Sequence, residues 1–413
     1  MNFALAARQR KLVATAESLV PGFAARAGRY DRENQFPVEN FAELRAHNFL
    51  ALTIPEEYGG LGLGIDNGDP LTLWLITKNI AKGDNATGQC LQVHTNFAQF
   101  ISVNGTQEQK QRYLGDVVKN GALLGGWGSE PPMVVLGQPA RRSSSFAKRV
   151  QGGYIINGEK YYCTNAGAAR YGGVGFVVEG ARDAAEGMVM LMVDTTSPGV
   201  TIRPEWWSSA TGMRATVSHL VKFDNVFVGD DQAIGEPGDY VRTNFQAKLL
   251  PQFASNFLGG AEAALEFALE YLKSKQRLDD PYVQHYLADM RMNVQTITLW
   301  LFHTAWLWET GQIEQGQLAG HMYRCVSEDL SGKVIHAAIQ ACGATATMSE
   351  YPLERIHRDL TYYLKHENYD SIKATIGKAV AGLEYNAGMK DFLNYAVGGG
   401  TGETGTRPAN AKS

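Results

Sequence analysis

The segment RDLTYYLKHENYD (358–370) sets an imidazole directly before a carboxylate, His366 then Glu367, in a run rich in tyrosine. A carboxylate held in a dry site has a raised pKa and can take a weakly acidic proton from carbon. An imidazole at such a site can instead serve an oxygen reaction. Adjacent residues of a helix point about 100° apart, so the two groups cannot both face one atom. A division of labour follows, with Glu367 on a substrate carbon and His366 on the oxygen side or fixing the loop. A second histidine, His94, lies in VHTNFAQF. His285, His303, His321 and His336 read as structural helix residues.

Two familiar patterns fail in context. Gly400, Gly402 and Gly405 have the spacing of a dinucleotide fingerprint, but the chain ends soon after them with a proline between, leaving no helix to hold a phosphate. HRDL (357–360) looks like a kinase catalytic loop, but Leu364 stands where the metal-binding asparagine belongs.

Bulk properties narrow the setting. The 413 residues are 44% hydrophobic and 19% charged, with a net charge of −4. Such a length allows two or three domains, and such a charge offers no footprint for nucleic acid. No apolar run reaches the ~20 residues of a membrane span. Cys90, Cys163, Cys325 and Cys342 are too scattered for a disulfide framework or a zinc site, and read as reduced thiols of a cytoplasmic protein. The N-terminal 20 residues read as a first helix rather than a targeting segment.

The texture of the chain divides it. Residues 1–120 carry helical periodicity, and 121–235 carry short β-rich runs between Gly, Pro, Asn and Asp. Residues 236–395 are helical again, and 396–413 form a flexible tail. The α+β arrangement expected is an N-terminal helical domain, a middle β-barrel domain and a C-terminal four-helix bundle. The stretch MNVQTITLWLFHTAWLW is apolar nearly all round and should sit inside the bundle.

Six segments, in order and in register, resemble the acyl-CoA dehydrogenase superfamily: LTIPEEYGGLGLG (52–64), GTQEQKQRYL (105–114), GSEP (128–131), GYIINGEKYYCTN (153–165), TGMRATVSHLVKFDNVFV (211–228) and EYPLERIHRD (350–359). The resemblance covers roughly residues 1 to 390 and implies the same three-domain fold. It also implies a homotetramer with a flavin at subunit interfaces, FAD being the expected cofactor and FMN the alternative. A flavin needs hydrogen-bond donors on its pyrimidine edge and at N5, plus an apolar wall. The family draws these from segments read here as Trp127-Gly128-Ser129 and Tyr162-Cys163-Thr164. Thr164 and Ser129 offer hydroxyls, and Trp127 or Tyr162 a stacking face. Gln340 and Gly343 in QACGATAT match positions that contact the cofactor of a neighbouring subunit, although Ala344 and Ala346 replace two further glycines.

Glu367 falls at the family's base position, eight residues after Asp359, but His366, Asn368 and Tyr369 replace the usual neighbours. The R-x-x-F-G element that grips FAD is absent. KQRLDDPYVQHYLADM (275–290) stands in its place and resembles the oxygen-using flavin monooxygenase branch, similar to dibenzothiophene monooxygenase. His94 and His366 match active-site positions of that branch. Leu250 replaces an arginine that supports substrate in many dehydrogenases. The basic loop with Arg141, Arg142, Lys148 and Arg149 reads equally as a phosphate contact or a solvated surface.

The expected function is a flavin-dependent oxidoreductase that oxidises a small organic or acyl-thioester substrate with molecular oxygen. A flavin reductase or an electron-acceptor protein would be its partner. The alternative is an acyl-CoA dehydrogenase with Glu367 as base. A non-catalytic ligand-binding relative is disfavoured, because the flavin segments and Glu367 survive. No nucleic-acid or membrane partner and no metal are expected.

Overall fold

The computed structural model describes residues 3–130, 145–181, 184–365 and 369–387. The N-terminal part holds α1 (Ala7–Glu33), α2 (Val38–Ala46), α3 (Pro70–Gly83) and α4 (Asn85–Asn104). It ends in α5 (Gln107–Gln109), a π turn (Lys110–Leu114) and α6 (Gly115–Asn120). The α3–α4 junction is set by Asp84, which ends one helix and caps the next: its carboxylate accepts the Thr87 N–H at 3.1 Å.

The middle part is a curled seven-stranded sheet. Its elements in chain order are β1 (Leu124–Trp127), β2 (Phe146–Val150), β3 (Gly153–Cys163), β4 (Tyr171–Val178), α7 (Ala184–Gly187), β5 (Met188–Asp194), β6 (Val200–Arg203), α8 (Pro204–Trp207) and β7 (His219–Gly229). The strand order is β1-β4-β2-β3-β7-β6, with β5 on the free side of β4. Inward residues such as Ile156, Phe176, Leu191 and Phe223 build a core of their own.

After α9 (Asp239–Arg242) come α10 (Phe245–Ser274), α11 (Pro281–Glu309) and α12 (Ile313–Cys342), then α13 (Pro352–Tyr363) and α14 (Tyr369–Val380). In DDPYVQ, Asp280 caps α11 by accepting the N–H groups of Tyr282 and Val283, with Pro281 in the first helical position. One large apolar core runs through both helical parts. The all-apolar stretch of α11 is enclosed on one side only: Ile297 and Leu301 are buried, while Met292 is 60% and Leu299 43% exposed. The expectation that this helix lies wholly inside the bundle is therefore corrected. Three sister helices cannot cover a helix apolar on every face. No helix among the described residues is long and apolar enough to cross a membrane.

The three parts meet at a buried charge cluster. Arg355 of α13 lies 3.5 Å from Asp84 and 3.3 Å from Asp359, and Asp359 also accepts the Met213 N–H at 2.6 Å. Beside it, Arg358 binds Asp31 of α1 at 2.7 Å and also Glu354. Burial pushes the Asp359 carboxyl up to about 7 despite Arg355, and Asp31 and Asp84 add to the rise. A carboxyl whose folded value exceeds its unfolded one contributes stability that is present at low pH and lost as pH rises through the folded value. Between pH 6 and 8 we expect this group to remove about 1 kcal/mol. Asp359→Asn keeps an oxygen for Met213 and should flatten that part of the pH dependence. Thermal denaturation at the two pH values decides, and an equal fall in the variant would clear Asp359 of the effect.

Candidate functional site

The site begins with an irregularity in a strand. The β3–β7 ladder slips between Lys160 and Cys163, and within that bulge Tyr162 adopts φ +53°. A bulge re-aims the side chains it contains, and here it turns Tyr162 outward, 51% exposed, at the end of β3. Two residues on, the Thr164 hydroxyl meets Ser218 Oγ at 2.9 Å, and Ser218 meets Thr216 Oγ1 at 2.7 Å. Thr164 is fixed in a short hydroxyl chain instead of rotating freely.

Aromatic rings gather round Tyr162. Trp206 packs edge-on at 5.0 Å and Trp207 at 6.1 Å, and the two indoles stack on each other at 6.0 Å. Tyr362, in the last turn of α13, meets Trp207 at 5.9 Å, closing the corner from the helical side. Burial, with Tyr162 beside it, raises the Tyr362 hydroxyl to about 12, so it stays protonated as a donor. Tyr363 turns the other way, into a buried group of amides: Gln89 and Gln92 of α4 and Asn256 of α10. The end of α13 thus has an aromatic side and an amide side. Trp206, Trp207, Tyr362 and the amides escaped the sequence reading; the doublets WW and YY were their only local signal.

The residues singled out from sequence divide. Tyr162 stands exposed at the end of β3, and Thr164 is buried beside Ser218. Trp127 is interior: its indole fills the β core, 2% exposed, against Gly172, with Nε1 donating to the Thr164 carbonyl at 3.0 Å. Its reading as a stacking face is corrected to a core role that braces Thr164 from behind. Cys163 is equally interior, its thiol donating to the Lys160 carbonyl at 3.2 Å, and burial drives its pKa far up. Only its backbone remains for a ligand. Ser129 is exposed, and its carbonyl accepts the Tyr161 N–H at 2.9 Å, which lays the GSE segment along β3. Next to it, Glu130 binds the buried Lys160.

His94 is also corrected. Its Nε2–H donates to the Leu50 carbonyl at 2.8 Å, and Nδ1 accepts the Leu124 N–H at 3.0 Å. Desolvation lowers its pKa to about 4, so the ring is neutral and both nitrogens are spent on backbone. It ties β1 to the N-terminal helices and has no donor left for an oxygen species. Gln340 lies exposed near the end of α12, and Gly343, at φ +78°, terminates that helix. Neither touches the aromatic corner within this chain. His366 and Glu367, like Arg141 and Arg142, lie outside the described residues. Among the described residues no three His, Cys, Asp or Glu side chains gather to hold a metal ion.

The arrangement fits a flavin on two counts. Tyr162 and its neighbours supply an apolar aromatic wall, and Thr164, two residues further along the chain, supplies a fixed hydroxyl.

Models of the acyl-CoA dehydrogenase N-terminal, middle and C-terminal domains match residues 6–121, 132–226 and 251–364. The chain is 30% identical over 356 residues to mitochondrial isovaleryl-CoA dehydrogenase of Solanum tuberosum, covering 82% of each protein. It is 26% identical over 403 residues to dibenzothiophene monooxygenase of Rhodococcus erythropolis, covering 90% of this chain and 94% of that one. Among solved structures, a glutaryl-coenzyme A dehydrogenase with glutaryl-CoA shares the fold at TM-score 0.83 and 24% identity, over 94% of this chain and 98% of that one. The Paenibacillus sp. A11-2 complex of TdsC, a dibenzothiophene monooxygenase, with FMN and indole does so at 0.79 and 23%, over 91% and 98%.

Core and wall predict opposite responses. Trp127→Ala should cost about 3–5 kcal/mol by emptying the β core. Tyr162→Ala should cost less than about 1.5 kcal/mol, the worth of its ring contacts. Denaturant unfolding of both variants tests the assignment; a larger loss for Tyr162 would reverse it.

Proposed function

The chain belongs to the acyl-CoA dehydrogenase family of flavin-dependent, FAD-using oxidoreductases, and from that premise we propose that it oxidises a small organic or acyl-thioester substrate with molecular oxygen. The observation that carries the reading is the aromatic corner of Tyr162, Trp206, Trp207 and Tyr362, with the Thr164 hydroxyl two residues along the chain from Tyr162. Such a corner excludes water from a planar ring laid against it, as oxygen chemistry at a reduced cofactor requires. FAD, when bound, accepts an electron pair and passes it on to oxygen.

The chain's own groups have separate tasks in this proposal. Thr164 and Ser129 hold the ring edge by hydrogen bonds, and Tyr162 holds its face. Glu367 takes the substrate proton, and His366 donates a hydrogen bond on the oxygen side. Gln340 and Gly343 reach the cofactor of a neighbouring subunit, in a homotetramer that covers the exposed face of α11. The similarity to dibenzothiophene monooxygenase over nine-tenths of both chains supports oxygen use. So does Leu250, buried beside Cys325 and Ile372 where many dehydrogenases carry an arginine.

The second reading is α,β-dehydrogenation of a CoA thioester with an external electron acceptor. Glu367 at the base position and the likeness to isovaleryl-CoA dehydrogenase favour it.

Anaerobic mixing of the FAD-loaded protein with acyl-CoA esters separates the two. Bleaching of the flavin band supports dehydrogenation; no bleaching, with turnover once reduced flavin and oxygen are supplied, supports the oxygenase. In either case Glu367→Gln should slow the proton-transfer step by about 10²–10⁴-fold. His366→Ala should keep FAD bound and divert oxygen to hydrogen peroxide, measured by peroxide release per substrate consumed. Full activity in Glu367→Gln would remove the base assignment.

A further inference from the structure

We infer that the cavity between α1, the chain linking α8 to β7 and the start of α13 binds a small organic phosphate ester. The cavity has a volume of about 700 Å³, within the range of small-molecule sites. Tyr162, Thr164, Trp206, Trp207 and Tyr362 take no part in its lining.

The cavity carries charge of the sign opposite to the chain as a whole, whose net charge is −4. Five guanidiniums line it against three carboxylates. Pairing sorts them. Arg358 is bound by Asp31 and Glu354, Arg355 by Asp84 and Asp359, and Arg29 by Glu39. Arg32 and Arg214 form no ion pair among the described residues, and Arg214 spends only its Nε, on the Asp31 carbonyl at 2.9 Å. Of the lining carboxylates, Glu350 alone is likewise without an ion pair among the described residues. Two guanidiniums without a counter-ion thus outweigh one carboxylate.

The remaining groups suit the same kind of ligand. Arg32 folds back over Gly28, where an added Cβ would stand 3.2 Å from its Nη1. The hydroxyls of Ser209, Thr211 and Ser349 line the cavity and bond to no side chain or backbone group among the described residues. The N-terminus of α13, at Tyr351 and Pro352, opens on this space with no side chain capping it, which adds to the attraction for an anion. A phosphate monoester presents three charged oxygens, enough for guanidinium forks and hydroxyls together, whereas a carboxylate presents two. A bare phosphate fills a small part of the volume. The rest, floored by Ala24, Ala25 and Gly28 of α1 and edged by Tyr351, takes an organic group.

Calorimetry on the FAD-loaded full chain, freed of excess FAD, tests the site with phenyl phosphate, inorganic phosphate, phenylacetate and phenol. Phenyl phosphate should bind once per chain with a Kd below about 1 mM, and about tenfold tighter than each of the other three. Arg32→Gln and Arg214→Gln should each weaken it about tenfold. Arg32 is exposed and has no ion pair to lose, so its variant keeps the fold even where the loss of Arg214 disturbs the contact with Asp31. Arg10→Gln, which removes an exposed arginine of α1 outside the lining, should leave the affinity unchanged. No binding of phenyl phosphate, phenol or phenylacetate binding as tightly, an affinity that survives Arg32→Gln, or an equal loss in Arg10→Gln overturns the inference. Inorganic phosphate binding as tightly as phenyl phosphate overturns the part that assigns an organic group.

Discussion

The fold depends on a guanidinium that is largely shut off from water. Arg355, 8% exposed, can stay charged in the interior only because Asp84 and Asp359 surround it. Asp84 caps α4, Asp359 receives the backbone of Met213, and Arg355 itself sits on α13, so one charge fixes three parts of the chain. Such a cluster adds little net stability over well-packed apolar residues, yet losing one member strands the others. Its value lies in register. An apolar contact could slide by a fraction of a turn, whereas a carboxylate that must both cap a helix and face an arginine cannot.

Fixed in this way, α13 delivers its C-terminal turn to a defined place. Tyr362 and Tyr363, about 100° apart round the helix, face different surroundings, one the indoles of the β part and the other the amides of α4 and α10. The β part answers with its own device. The bulge in β3 breaks the alternation of the strand and swings Tyr162 out to meet Trp206 and Trp207, while Trp127 fills the space behind. The last turn of α13 and the end of β3 thus meet at an interface whose register was set elsewhere.

These facts explain what could be read from sequence. Helical periodicity, the turn-rich middle and the cap at Asp280-Pro281 are local signals, and the fold followed from them and from the resemblance. Thr164 and Tyr162 were legible as a pair of motif residues. Cys163 was assigned to the wrong side because its direction depends on bulge geometry, which a period of two does not record; Trp127, in a regular strand, turns its ring into the β core against Gly172, a contact distant in sequence. His94 was misread for a different reason: its partners, Leu50 and Leu124, lie 44 and 30 residues away. A histidine satisfied by distant backbone and one awaiting a reactant look the same in sequence.

The amide group poses the same problem in reverse, since glutamines on a helix normally read as solvated. Buried polar side chains are expensive, and the surroundings of this group, with Phe253 and Phe257 against Tyr363, show that an apolar seam was available. Polar residues also recur where α10 meets α3 and α4: Gln252 donates to Thr77 of α3 at 3.0 Å and to Thr95 of α4 at 3.1 Å, and Asn85 of α4 to the Asn256 carbonyl at 3.1 Å. Those bonds pair each donor named with an acceptor and hold the three helices in one register. Gln92 and Asn256 depart from that pattern: Gln92 Nε2 and Asn256 Oδ1 are both buried without a partner, although Asn256 Nδ2 donates to Gln92 Oε1 at 2.7 Å.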